Sequence, residues 1–219
     1  MKIRFGLVVA VSMLLAANVV RAQISNGGFE QPTTPPLSGS VTTFTSASQG
    51  IPGWTIVSGN VDLVATALLP SFEGNESINL NGLSPGAISQ TFSTVLGQAY
   101  TLTFGYSNNP GSPSAIFTAD VSVTGATPVL ATTITHNTST YDINTHTGSM
   151  NYNVFSQNFI ANSTSSTVKF QSTSPAGPYG IVLDGIKATA TPEFGSVFSL
   201  GGLLVAGGVG LWIKKRRVQ

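Results

Sequence analysis

An all-β antiparallel sandwich is the fold class this sequence predicts, and three observations predict it. Apolar and polar residues alternate in several runs between residues 23 and 190, turn signals interrupt these runs at short intervals, and no amphipathic helical repeat lies between them. The chain has no cysteine, so core burial rather than disulfide bonding must hold the body together. A body of this length is large enough to bury a self-sufficient core.

The runs can be taken in order. Tyr100, Leu102, Phe104 and Tyr106 alternate with Thr101, Thr103 and Gly105, the pattern of a strand with one buried face. Phe117, Ala119, Val121 and Val123 repeat it around Thr118, Asp120 and Ser122. Val168 and Phe170 lie in a third run, and Ile181 and Leu183 in a fourth. Between them stand Pro52-Gly53, Ser84-Pro85-Gly86, Asn109-Pro110-Gly111 and the stretch from Pro175 to Pro178, all turn chemistry. Residues 31–50 and 107–114 read as surface loops, residues 135–153 as a long polar excursion, and residues 188–193 as a short linker.

The two ends differ from the body. Lys2 and Arg4 precede an apolar run that closes on Val20-Arg21-Ala22, which predicts a signal peptide over residues 1–22 cleaved between Ala22 and Gln23. Asn18 and Arg21 interrupt the run too early for a retained span. At the other end, residues 191–219 carry Pro192-Glu193, an uncharged apolar stretch over residues 194–213, and the basic cluster of residues 214–217. That stretch matches a hydrocarbon core about 30 Å thick. The basic cluster is expected to stay cytoplasmic, leaving the body outside.

Charge must be recounted once the ends are set apart. Residues 23–190 contain two lysines (Lys169 and Lys187) and seven acids (Glu30, Asp62, Glu73, Glu76, Asp120, Asp142 and Asp184), so the body carries 2 − 7 = −5. An acidic body with two lysines has no electrostatic footprint for nucleic acid.

Candidate chemistry is sparse. His136 and His146 flank Asp142 within the polar excursion, but zinc needs three or four ligands and no cysteine supplies the rest. The expected reading is two solvated loop histidines. Gly82-Leu83-Ser84-Pro85-Gly86 has the Gly-x-Ser-x-Gly spacing, but it sits in a turn signal with no helical pattern after it, so it does not support the strand-to-helix elbow of a hydrolytic triad. Glu73 and Glu76 are close in sequence, but their loop favours contact with water or a cation over glycosidase chemistry, which leaves a glycan-acting hydrolase as the weaker alternative. Calcium suits scarce acids, because backbone carbonyls fill much of its shell. Glu30 ends the first strand-like segment and Asp184 sits in the last, and terminal strands of a sandwich commonly pair. Among the aromatics, Trp54, Tyr106 and Tyr179 are the candidates for stacking on a sugar, with Tyr179, set between Gly177-Pro178 and Gly180, the most exposed.

Four segments in order carry a resemblance. They are Asn26-Gly27-Gly28-Phe29-Glu30; Ile51-Pro52-Gly53-Trp54 with Val61-Asp62-Leu63; Ser77-Ile78-Asn79-Leu80-Asn81-Gly82 leading to Ile88-Ser89-Gln90-Thr91-Phe92; and Gly97-Gln98-Ala99-Tyr100-Thr101-Leu102-Thr103-Phe104. With Gly177-Pro178 and Leu183-Asp184-Gly185-Ile186, the set resembles the choice-of-anchor C family, which is related to a domain of unknown function in plant cell-wall proteins. The resemblance implies a galactose-binding-like jelly roll shared with carbohydrate-binding modules, with Glu30 and Asp184 as structural calcium ligands. The tail resembles PEP-CTERM sorting signals, with Pro192-Glu193-Phe194 in place of Pro-Glu-Pro. That implies a bacterial source and an exosortase-type peptidase acting near Pro192 and Glu193. A permanent anchor would use the same span and basic end.

Together these features predict an exported, non-catalytic protein of the cell surface or extracellular matrix, contacting polysaccharide and held at the membrane at least transiently. A purely structural or adhesive spacer is the alternative.

Overall fold

The computed structural model describes residues 24–32, 35, 40–46, 50–112 and 116–191. The signal peptide, the Ala22–Gln23 cleavage point, Pro192, Glu193, the apolar span and the basic cluster lie outside the described residues. Among the described residues no helix is long and apolar enough to cross a membrane.

The strands among the described residues are β1 (Val41–Thr45), β2 (Thr55–Ser58), β3 (Asn60–Ala65), β4 (Glu76–Asn79), β5 (Ala87–Ser93), β6 (Ala99–Asn108), β7 (Phe117–Thr124), β8 (Pro128–His136), β9 (Asn153–Ile160), β10 (Ser165–Ser172) and β11 (Ile181–Ala190). They form two sheets, one of six strands in the order β1-β3-β4-β11-β6-β9 and one of five in the order β2-β5-β10-β7-β8. The pairings are antiparallel. The last strand, β11, is central: it pairs with β4 on one side and with β6 on the other.

The alternation read from the sequence places the core. Tyr100, Leu102 and Phe104 of β6 point inward, as do Phe117, Ala119, Val121 and Val123 of β7, Val168 and Phe170 of β10, and Ile181 and Leu183 of β11. Phe104 and Phe170, from opposite sheets, meet edge-on at 5.1 Å, and Phe155 of β9 stacks on Phe104 at 4.6 Å. Each fully buried aromatic or aliphatic side chain contributes about 1.5–3 kcal/mol by leaving water. The chain is therefore a two-sheet antiparallel sandwich, as its alternation predicts.

Three expectations are corrected. Residues 41–45, read as loop, form β1, whose single buried residue, Phe44, gives too little alternation to announce a strand. The segment ending at Glu30 is a turn and not a strand. Asn26 and Phe29 hold φ values of 50° and 62°, and one backbone bond, from the Ile186 amide to the Gly27 carbonyl (3.0 Å), ties this turn to β11. A Cβ at position 27 would overlap the Ile186 carbonyl, so the close approach requires glycine. Finally, residues 137–152 do not simply project into solvent. Tyr141 and Met150 join Val64, Leu69 and Val182 in a second apolar cluster on the outer face of the six-stranded sheet. That sheet is thus covered on both sides around β3, β4 and β11, whose residues are almost continuously buried.

Candidate ligand-binding face

The loops that cover the outer face of the six-stranded sheet leave a hollow beside them. The β3–β4 loop contributes Leu68 and Leu69, the 137–152 excursion contributes Ile143, and the loop before β11 contributes Pro178 and Tyr179. Val41 and Val64 form further apolar wall, and Asp62, Asn79 and Asn109 supply the polar groups. The volume is about 220 Å³. Asp62 of β3 lies opposite Asn79 of β4, so both side chains reach the same face at the same level.

The hollow is held in shape by hydrogen bonds from its own lining. The Asn79 amide Nδ2 donates to the Pro178 carbonyl (2.7 Å), fixing the residue before Tyr179. The Asn109 backbone amide donates to the Gly180 carbonyl (2.9 Å), fixing the residue after it. The Tyr179 ring lies so close to Gly111 that a Cβ there would overlap it, and the residue still keeps 38% of its surface exposed. Asp62 is buried and accepts a hydrogen bond from the Thr43 hydroxyl (2.6 Å). Burial raises its pKa, an effect opposed by the hydrogen bonds from Thr43 and Asn79.

A second hollow of about 370 Å³ adjoins the first at Ile143 and is lined by Pro110, Gly111, Thr140, Asp142 and Asn144. Asp142 accepts the Asn144 amide there at 2.8 Å, a bond that lowers its pKa. The outer face of the five-stranded sheet bears a broader depression of about 470 Å³ along Asp120, Ser122, Thr133, Lys169 and Gln171, with no aromatic ring in its lining. Each of these three hollows is lined by one carboxylate.

The three aromatic candidates fall in different places. Trp54 is in the core, its ring 5.5 Å from Phe29 and 6.1 Å from Phe170, and its indole N–H donates to the Asn26 carbonyl (3.0 Å). No ring face is left for a sugar, because the turn at Pro52-Gly53 aims the side chain inward. Tyr106 is half-buried between Phe104 and His136. Of the three, Tyr179 borders one of the hollows described above.

Glu30 and Asp184 are brought together around the 72–76 loop. Glu30 Oε1 accepts the amides of Asn75 (2.7 Å) and Glu76 (2.9 Å), while Asp184 accepts those of Glu73 through Oδ2 (2.8 Å) and of Gly185 through Oδ1 (2.6 Å). Asp184 is fully buried, and burial pushes its pKa up to about 7. A Cβ at Gly28 would stand 3.3 Å from Glu73 Oε1 and 3.8 Å from Asp184 Oδ1, so these oxygens face a small space above that glycine. Glu73 also forms an ion pair with Lys187 at 2.6 Å. Among the described residues no three His, Asp or Glu side chains converge as a metal-ligand set.

The histidines separate as well. His146 is exposed and meets the Tyr141 hydroxyl at 3.0 Å. His136, expected in solvent, is buried, with Nε2 2.8 Å from the Asn151 carbonyl and Nδ1 accepting the Asn108 amide at 3.1 Å. It ties the start of the excursion to its end.

Residues 22–188 match the family described as "Protein of unknown function (DUF642)". The chain belongs to the DUF642 family. It is also 28% identical over 204 residues to halomucin of Haloquadratum walsbyi, an alignment that takes in 86% of this chain and 2% of halomucin. The chain thus spans a small fraction of that relative's length. Among solved structures it is similar to TmCBM61 in complex with beta-1,4-galactotriose (TM-score 0.47, 13% identity, 78% of this chain and 99% of that one). It is likewise similar to the CBM22-1 xylan-binding domain of Paenibacillus barcinonensis Xyn10C (TM-score 0.44, 12% identity, 73% and 99% covered). An arabinose-bound MgGH51 α-L-arabinofuranosidase gives a TM-score of 0.49 at 13% identity, covering 78% of this chain and 26% of the enzyme. At these scores the likeness is one of sandwich arrangement and says nothing of the ligand.

Proposed function

We propose that this DUF642 protein is an exported, non-catalytic glycan-binding protein of the cell surface or extracellular matrix, and that the hollow beside Tyr179 contacts the polysaccharide. One observation carries the reading: an exposed aromatic ring, clamped against Gly111, borders a hollow whose polar groups are amides and a carboxylate. Flat rings stack on the apolar faces of sugars, and convergent polar groups fix orientation. Glycoside hydrolysis requires two carboxylates flanking the scissile bond, whereas this hollow offers Asp62 alone. The reading is tested by retention on immobilised polysaccharides. Wild type is retained by at least one of them, and Tyr179→Ala loses retention while melting as wild type does. Retention near background on every polysaccharide tested would leave the sandwich as a spacer.

Delivery follows the ends of the sequence, with export by the signal peptide and processing or anchoring by an exosortase-type peptidase at Pro192-Glu193. Mass spectrometry of the mature C-terminus separates the two fates: an end near Pro192 means processing, and an intact Arg217 means an anchor.

A structural calcium at the Glu30–Asp184 turn fits in part. Glu73 and Asp184 turn oxygens toward the space above Gly28, and the charge of the buried Asp184 carboxylate has no ion-pair partner among the described residues. Carbonyl oxygens or water would have to complete the shell. If calcium binds there, chelation lowers the melting temperature; an unchanged melt removes it.

A further inference from the structure

The acidic group at the Tyr179 hollow says more about the sugar. Asp62 is 7% exposed and bonded to the Thr43 hydroxyl, and no cation among the described residues pairs with it. The two described lysines are committed elsewhere: Lys187 pairs with Glu73, and Lys169, on the other sheet, donates to Gln171. Around Asp62 the walls are apolar, formed by Val64, Leu69, Ile143 and Pro178. A carboxylate in such surroundings is poorly screened, so it discriminates strongly between a neutral and a cationic guest. A volume of about 220 Å³ is below the about 300 Å³ at which pockets for larger ligands begin, and suits one ring rather than a chain. The adjoining hollow presents a second carboxylate, Asp142, whose backbone hydrogen bonds favour its ionised form.

We infer that this face takes a hexosamine residue carrying a free ammonium group, its ring against Tyr179 and its ammonium on the Asp62 carboxylate, within a polysaccharide that is at least partly deacetylated. This rests on the glycan-binding reading and narrows it to a cationic sugar. Burial raises the Asp62 pKa by disfavouring the charged carboxylate, and an incoming ammonium offsets that penalty.

The test is calorimetric titration of the purified protein with a β-1,4-linked glucosamine oligomer and with its N-acetylated counterpart, in buffer that keeps the sugar amine protonated. The deacetylated oligomer is expected to bind more tightly. A charge-assisted hydrogen bond contributes about 1.5–3 kcal/mol, so Asp62→Asn should weaken that oligomer by roughly tenfold or more and bring the two ligands level. Tyr179→Ala should weaken both. If Asp62→Asn fails to fold, the sugar amine decides in wild type: raising the pH until that amine is neutral should bring the deacetylated oligomer level with its N-acetylated counterpart, and a preference that persists overturns the inference. Equal binding of the two oligomers by wild type, or an unchanged preference in Asp62→Asn, overturns the inference. Binding of neutral polysaccharides with no response to either oligomer overturns it and leaves the glycan-binding reading standing, whereas no binding to any glycan removes both.

Discussion

Asp184 links the fold to pH in a way that can be measured directly. In the unfolded chain its carboxyl releases a proton near 3.8; in the fold, burial pushes the pKa up to about 7. A displacement of that size corresponds to about 4 kcal/mol, an upper figure. Because the folded-state pKa is raised, the contribution is fully present below about pH 4 and is lost as pH rises through the folded value near 7. Two backbone amides already point at the carboxylate oxygens and favour the charged form, so the raised value is what burial leaves after they oppose it. The perturbation is Asp184→Asn, which removes the titration. The substituted amide meets one backbone N–H it cannot accept from, a cost that does not change with pH. The assay is denaturant unfolding of both proteins from pH 4 to pH 8 in chelator. The stability of wild type relative to Asp184→Asn should fall across this range by up to about 4 kcal/mol. With calcium present the fall should shrink, because a cation favours the ionised carboxylate. A flat difference in chelator would refute the claim that burial raises this group.

Three further outcomes follow from the packing. Trp54→Ala should cost about 3–5 kcal/mol by opening a cavity between Phe29 and Phe170, and glycan retention measured below the lowered melt should persist. Gly27→Ala forces a methyl group onto the Ile186 carbonyl and should cost at least about 1–3 kcal/mol in chemical denaturation. His136, whose pKa burial lowers from 6.5, is neutral in the fold. Acidification below about 6.5 should therefore destabilise wild type relative to a His136→Gln variant, read as melting temperature against pH.

The central strands of the sandwich were legible because β6, β7 and β10 each bury one face in the main core and show it as alternation, while β11, buried on both faces, was marked by Ile181 and Leu183. β3 and β4 hid, since the second apolar cluster covers their other face and erases the polar half of the pattern. Phe72 and Tyr152 illustrate the long-range part: their rings meet at 5.6 Å, one from each covering loop, and no local spacing announces such a pair. The site divided along the same line. Tyr179 is flanked by Gly and Pro, so its exposure could be read locally. Trp54 also follows a proline and a glycine, yet the turn they form aims the ring inward. Asp62, Asn79 and Asn109 stand far apart in the chain and become neighbours only through the β3–β4 register and the Asn109–Gly180 bond. His136 looked solvated because its partners, Asn108 and Asn151, are side-chain and backbone groups that hydropathy cannot distinguish from loop.

The most direct measurement of where this protein holds its ligand is chemical-shift mapping during titration with a glucosamine oligomer. The account predicts that the perturbed amides cluster at Val64, Asn79, Asn109 and Tyr179, on the covered face of the six-stranded sheet. Perturbations grouped instead along Asp120, Ser122, Lys169 and Gln171 would place binding on the other sheet and contradict it.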